Sequence, residues 1–408
     1  MIAIVVASLC VSPSIAFSAM PNSDTERITP ASLSAAEAVG LAFQNRAAIA
    51  ATQSEVESLL FQAKAIRSAD PLRLLVGRGS DSVPGSTDND LALSQPIDWF
   101  GRNRLAASIV ESEVAMARAH LRRVRLEVQT DVLYRFNAVV VTEGKLRIAK
   151  ELLDIAARFR DAAQRRVEAG QVPEVQLLRA SIEYERASQV LELRDIEAKA
   201  AKSRLRGAIG ATEEPTPANF FAHQAPAEPD LMQRHPRVLA LSAELQEVDA
   251  RIRQASAANR PEIEFQLRRS PWMERGQLGV RLQISLPLTD YGRSRRNVES
   301  LRLRRRGIEQ QRDDVLRTSV AEYQAISVER AAAERQVGRH DALIQDAKEL
   351  LRINEKGFET GALTLLESLE AARSLRDIEE ASLDSRFRLA NLDVAMILTE
   401  GYLLVEGA

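Results

Sequence analysis

The sequence predicts a mostly helical fold with a small β part, built twice from one helix–β-hairpin–long helix–helix unit. Three observations carry this. In 408 residues there are only 18 Gly and 15 Pro, and aromatics make up 4%, a composition that favours long helices over a strand-rich sandwich. Two strand-like runs end in proline and then an aromatic-Gly-Arg step: Pro96 to Phe100-Gly101-Arg102, and Pro287 to Tyr291-Gly292-Arg293. The landmarks also keep one spacing. Pro96 and Pro287 stand 191 positions apart, as do Gly101 and Gly292, Gly170 and Gly361, Ala180 and Ala371, and Gly210 and Gly401. Matches held in register over such a span mark a tandem duplication.

The chain divides accordingly. Residues 1–19 are mostly apolar with small residues near Ala19 and read as a secretory signal, although no Lys or Arg precedes the apolar run. Residues 20–32 are polar, with Pro21 and Pro30 as breakers, and read as disordered. The first repeat runs over 33–210, a proline-rich linker over 211–230, the second repeat over 231–401 and a C-terminal tail over 402–408.

Within the first repeat, the pattern over 34–69 is helical, and Ser34 with Glu37 forms a capping box. Asp70-Pro71 ends it. Leu72, Leu74 and Val76, then Leu91 and Leu93, alternate with other residues on either side of a Gly/Ser/Asp loop, which predicts a β-hairpin. In the second repeat Ile263, Phe265 and Leu267, then Val280, Leu282, Ile284 and Leu286, alternate more strictly. Such runs have one apolar and one polar face. They suit a half-buried soluble sheet, and they also have the length of tilted membrane strands.

From 103 to 168 no proline occurs, and a helix of that length spans about 100 Å. Val132, Val139, Leu146 and Leu153 fall seven apart. So do Leu316, Tyr323, Val337, Ile344, Leu351 and Phe358, with Arg330 interrupting the series. A seven-residue stripe makes a coiled-coil seam. Gly170 and Gly361 are placed to stop the long helices, and helices return over 174–209 and 363–398. Past the leader no apolar stretch is long enough to cross a membrane as a helix.

Several function classes drop out. Net charge is −2 with both signs mixed, which gives no footprint for nucleic acid. Cys10, in the leader, is the only cysteine, so the rest has no disulfide or thiol chemistry. His120, His223, His235 and His340 are far apart and lack metal-ligand spacing, so neither a metal centre nor a cofactor is expected. No nucleophile–base pair or Gly-rich phosphate loop points to an enzyme. Four short strands cannot close a membrane barrel, and a heptad helix cannot bury its own stripe. Both point to an oligomer with a shared barrel and a shared helical tube. A periplasmic coiled-coil adaptor or scaffold without a barrel is the alternative.

The doubled pattern, the Ser94-Gln95-Pro96 strand end, the aromatic-Gly-Arg steps and the Gly-x₇-Leu turns (Gly170 to Leu178, Gly361 to Leu369) resemble the TolC-type outer membrane efflux proteins over about residues 33–401. The compact first hairpin and Gly170-Gln171-Val172-Pro173 are similar to the heavy-metal, CzcC-like branch. The resemblance implies a homotrimer: a 12-stranded outer-membrane β-barrel on a 12-helix periplasmic coiled-coil tunnel. It implies an exit duct for heavy-metal cations or drugs, joined through a periplasmic adaptor (membrane fusion) protein to an inner-membrane pump of the resistance-nodulation-division type.

The resemblance also assigns residues. Glu367 and Glu370, with Phe358, stand at the pore constriction, where converging like charges would raise one another's pKa. Gln176 and Arg179 replace the carboxylates in the first repeat. Phe358 and Leu363 stand where a tyrosine and an arginine of the family's best-known member make the closing hydrogen bonds, so closure here must rest on packing or other charges. Gly170, Val172, Leu177, Leu178, Gly361, Leu365, Leu366 and Leu369 are the adaptor-contact candidates, with helix core as the other role for the leucines. Trp99, Phe100, Gly101, Tyr291 and Gly292 mark the barrel–tunnel junction, by interfacial anchoring or by plain packing.

Overall fold

The computed structural model describes residues 33–80, 87–224, 226, 228–269, 278–360 and 362–405. The leader and polar segment expected over 1–32 therefore lie outside the described residues, as do Gly361 and the end of the tail.

The duplication is visible element by element. The first repeat contains α1 (Ala35–Asn45), α2 (Ala47–Arg67), β1 (Arg73–Ser80), β2 (Thr87–Ile97), α3 (Arg102–Glu168) and α4 (Glu174–Ile209). The second contains α5 (Leu231–Arg234), α6 (Pro236–Ser256), β3 (Glu262–Arg269), β4 (Leu278–Ser285), α7 (Arg293–Thr360) and α8 (Leu365–Glu400). From β2 onward the starts of the two copies differ by 191, but α2 and α6, and β1 and β3, differ by 189. The two-residue difference falls between the strands of each hairpin.

The single helix expected over 34–69 is in fact two, broken at Arg46. This residue is extended (φ −81°, ψ 113°) and serves as C-cap of α1 and N-cap of α2. Tertiary hydrogen bonds offset the break. Arg46 Nε donates to Ala208 O at 2.9 Å and its guanidinium to Asp131 at 3.1 Å. His235 breaks α5 from α6 in the same way, helped by Pro236 at the first position of α6. The Ser34–Glu37 capping box forms as expected.

Both breaks pack against the αL glycine that ends the returning helix of the same repeat. Gly210 (φ +68°) lies where a Cβ would come within 2.7 Å of Asn45, whose amide donates to Ile209 O at 3.0 Å. Gly401 (φ +69°) abuts the Arg234 carbonyl, whose carbon would be 2.8 Å from an added Cβ. Glycine is required here for its φ and for its missing side chain.

The helices form an ordered array. In the half nearer the glycine turns, α4 packs on α3, α3 on α8 and α8 on α7; in the other half the order is α2, α3, α6, α7. Of the seven-residue stripes, Val132, Val139, Tyr323, Leu351 and Phe358 are buried, and Leu146, Leu153, Leu316, Val337 and Ile344 are half-buried. Arg330 interrupts the stripe because it has a partner. Its Nε donates to the buried Asp393 at 2.6 Å, and Asp393 also accepts from His223 N at 3.2 Å. His223 Nε2 lies 3.1 Å from the buried Glu400, and Tyr323 donates to Pro226 O. Burial, then the Glu400 charge, push Tyr323 up to about 12. Phe221 N donates to Asn137 at 3.0 Å. The linker is thus sewn onto the helices. The tail also joins this core: Leu403 is buried, and Gln129 donates to Tyr402 O at 2.9 Å.

The four strands make one antiparallel sheet in the order β1-β2-β3-β4, leaving β1 and β4 as free edges. Register aligns Leu74, Leu93, Leu267 and Val280 in one row, and Ile97, Ile263 and Ile284 in another. The opposite face aligns Arg73, Ser94, Gln266 and Arg281. The apolar face is exposed on the outer strands, where Val76 is 75% and Val280 67% accessible; on the polar face the two central positions, Ser94 and Gln266, are buried, while Arg73 and Arg281 at the edges are exposed. The sheet is inside-out relative to a soluble one.

Gly401→Ala should destabilise the protein by about 2 kcal/mol or more, from the αL penalty and the clash. Gly307→Ala, in open helix interior, should be neutral or slightly stabilising. Urea unfolding of the two variants compares them directly, and equal midpoints would remove the packing role of Gly401.

Candidate functional site

The glycine-turn end of the helices is built from local signals. Gly170 (φ +71°) closes α3 with Gln171 N donating to Arg166 O at 2.9 Å, the Schellman arrangement. Pro173 then caps α4. At the second turn Leu363 N reaches back to Gly357 O at 3.0 Å. A Cβ on Gly357 would lie within 2.7 Å of Leu363 Cγ, so this glycine makes room for Leu363 to fold over α7. Thr364 opens α8 with a capping box: Glu367 N donates to its hydroxyl at 3.3 Å, and Thr364 N to the Glu367 carboxylate at 2.7 Å.

Glu367 is therefore occupied at its own helix start. The Thr364 backbone N–H, then its hydroxyl, hold the Glu367 carboxyl below the usual range. Within one chain the sign is opposite to the raised value expected for a charge ring. Glu370 lies one turn further on, exposed like Glu367.

Phe358 is placed differently from the expectation. Its ring is 1% accessible and packs edge-on against Phe159 at 5.7 Å. A side chain so buried belongs to the helix core rather than to a surface around a pore. Arg166 lies over the same ring at 5.3 Å and donates to Phe358 O at 3.2 Å, while Arg158 pairs with Glu355 at 2.8 Å. Packing and charge thus tie α3 to α7 here, without the tyrosine–arginine hydrogen bonds of the family's best-known member. Phe159, Arg166 and Gly357 were missed in the sequence because only the fold brings the two turns together.

The adaptor-contact candidates split. Leu365 and Leu369 are buried in the cluster around Phe358, so helix core is their role. Leu178 and Leu366 are exposed, Val172 and Leu177 partly so, and Gly361 lies outside the described residues.

At the other end of the long helices, Gly101 (φ +71°) and Gly292 (φ +76°) turn the chain from sheet to helix, and Tyr291 itself sits at φ +50°. Asp290 stabilises this turn, accepting from Gly292 N at 2.9 Å and Ser294 N at 3.1 Å; Ser294, then Gly292, hold its carboxyl far below the usual range. Trp99 and Tyr291 are exposed, while Phe100 is half-buried. Among the described residues no three His, Cys, Asp or Glu side chains are grouped to hold a metal ion, and no helix is long and apolar enough to cross a membrane.

An inside-out sheet with free edges, standing on paired long helices, is the arrangement of a channel protein rather than of a soluble β domain. The family model of the outer membrane efflux proteins matches residues 38–211 and 229–393, so the chain belongs to that family. It is an outer membrane channel protein with a periplasmic helical part, not an enzyme and not a barrel-less adaptor or scaffold. The cobalt-zinc-cadmium resistance protein CzcC of Cupriavidus metallidurans is 26% identical over 349 residues, 81% of this chain and 80% of the relative. Two solved structures share the fold, each at 17% identity over 90% of this chain. One is the channel CusC, with a TM-score of 0.71 over 92% of its length. The other is the Campylobacter jejuni CmeC outer membrane channel, with 0.69 over 85%.

The cap implies a pH dependence. Glu367 has a lowered folded pKa, so its contribution is present above the ordinary value of 4.5 and is lost as pH falls through the lowered one. Protection of the Thr364 amide, taken relative to its intrinsic exchange rate, should fall in that acid window, and Glu367→Gln should remove most of the acid step. An exchange rate set only by intrinsic chemistry across the window would contradict the cap.

Proposed function

We propose that three copies join head to tail as the exit duct of a tripartite efflux system for heavy-metal cations. The single observation that supports closure is that every layer of the chain ends in an unfilled edge. In the sheet the edges are β1 and β4; in the helices they are α7 on one side and α2 or α4 on the other. Apolar side chains stand exposed on those edges: Leu178, Leu193 and Ile196 on α4, Val328 and Ile353 on α7. Open strand edges are not tolerated in lipid. Three is the number that the family resemblance implies; it gives twelve strands, a permitted barrel size. The polar row of Arg73, Ser94, Gln266 and Arg281 then faces the lumen, and the leucine rows face lipid.

The cargo proposal draws on the name of the CzcC relative: cobalt, zinc or cadmium cations, handed over by an inner-membrane pump of the resistance-nodulation-division type. A periplasmic adaptor would meet the turn end at Gly170, Val172, Leu178 and Leu366. Glu367 and Glu370 are three residues apart on one helix face, and three copies would bring six carboxylates to the constriction. Because Glu367 stays ionised through its cap, the ring attracts cations without needing a titration step. Trp99, Phe100, Gly101, Tyr291 and Gly292 form the barrel–tunnel junction.

An unheated gel of the outer-membrane extract should show a heat-labile trimer, and deleting the protein should lower tolerance to cobalt, zinc or cadmium. A monomer would end the duct proposal; lost dye or drug tolerance with metal tolerance intact would end only the cargo. In planar bilayers, Glu367→Ala with Glu370→Ala should weaken block by multivalent cations several-fold. Block curves that overlay the unaltered channel would remove the ring.

A further inference from the structure

The apolar face of β4 does not stop with the strand. Leu278, Val280, Leu282, Ile284, Leu286 and Leu288 are all exposed, and Leu288 is the most so at 92%. Tyr291 (89%) and Trp99 (75%), in the sheet-to-helix turns of the two repeats, are exposed as well. Asn259 and Arg260, just past the end of α6, tie the two turns into one rim. Asn259 donates to Asp290 at 3.3 Å and Arg260 to Phe100 O at 2.8 Å. Asp290 accepts from Gly292 N and Ser294 N and so holds the backbone of the turn in which Tyr291 is left-handed.

Immediately beyond the rim the chain is basic. Arg104, Arg293, Arg295 and Arg296 are exposed within the first turn of α3 and α7. No carboxylate among the described residues pairs with any of them. Acids close by in sequence are engaged elsewhere: Asp290 as above, Asp98 with Arg102 N at 2.5 Å and Asn103 N at 3.1 Å, and Glu299, one turn on along α7, with Arg302 at 3.7 Å. Further along α7 the pattern changes, and Arg302, Arg304 and Arg305 all have carboxylate partners. On α7 a cluster of three arginines without a carboxylate partner, Arg293, Arg295 and Arg296, thus stands next to the exposed rings. Four residues of helix rise about 6 Å, comparable to the roughly 5–8 Å depth of the polar headgroup region on each side of a bilayer.

We propose that this rim is a binding site for the phosphate headgroup of anionic phospholipid in the leaflet that faces the helices. The inference rests on the membrane placement of the sheet. Trp99, Leu288 and Tyr291 sit at the boundary of the acyl region, where amphipathic rings are favoured. The guanidinium groups of Arg104, Arg293, Arg295 and Arg296 reach the phosphates, which match their planar donor geometry. Each arginine near an anionic surface strengthens binding about fivefold, so the four together favour anionic over zwitterionic lipid by at least tenfold.

The test uses the full-length channel in phosphatidylcholine vesicles, with Trp272 replaced by Phe so that Trp99 alone reports. Brominated phosphatidylglycerol and brominated phosphatidylcholine are compared as quenchers at equal mole fraction. The expected result is markedly stronger quenching by the glycerol lipid. Arg293→Gln, Arg295→Gln and Arg296→Gln together should abolish the difference, and the corresponding Lys variants should restore part of it. Equal quenching by both lipids in the parent would overturn the site. Loss of the preference on adding millimolar inorganic phosphate would assign the arginines to free anions instead, and also overturn it. A protein that inserts into no vesicle would instead refute the membrane placement itself.

Discussion

Unfilled edges are the constraint on which the rest of this structure depends. A four-stranded antiparallel sheet leaves the outer backbone groups of β1 and β4 without partners, and lipid offers none. The same is true in apolar terms of the helices. The outer members of the array, α4 and α7, carry leucines, isoleucines and valines that nothing in the single chain covers. In the proposed duct, one chain is therefore a segment of a wall. Duplication helps here: each repeat supplies one hairpin and one long helix pair, so the two edges of the segment come from different repeats and can meet head to tail.

Two kinds of corner hold the segment together, and the duplication repeats both. Where sheet becomes helix, Gly101 and Gly292 take positive φ and an aspartate caps the turn. Where the returning helix ends, Gly210 and Gly401 let the backbone press against the break in the short helix of the same repeat. The second repeat carries an added polar lock. Asp393, Arg330, His223 and Glu400 pin the linker against α7 and α8, at a level where the heptad stripe yields to charge. A buried carboxylate with several donors fixes register more sharply than apolar contact does, because a slip would leave it unpaired.

The two ends of the long helices differ in physics. At the turn end, aromatic packing of Phe159 on Phe358 closes one chain upon itself, while Glu367 and Glu370 remain exposed. At the sheet end, large apolar rings and unpaired arginines stand in solvent. The first pattern suits contact with ions and proteins, the second contact with a bilayer surface.

Much of this was legible in sequence because it is local. The spacing of 191, the heptad stripes, the alternation in the hairpins and the helix-stopping glycines depend on neighbours along the chain. They determined the element order, the duplication and the family resemblance. The break at Arg46 was not legible, because nothing in the local pattern demands it; its cost is offset by Ala208 and Asp131, both distant in sequence. Nor could alternation alone say which face of the strands is covered. A period of two is the same for a soluble sheet and a membrane sheet, and only the register and the burial of Ser94 and Gln266 showed the polar face to be inside. For the same reason Phe358 read as a pore residue, and Leu365 and Leu369 read, like Leu178 and Leu366, as either tip contacts or helix core, until the fold divided them. Which side of a helix is buried depends on the neighbour that packs there, and that neighbour is set by tertiary structure.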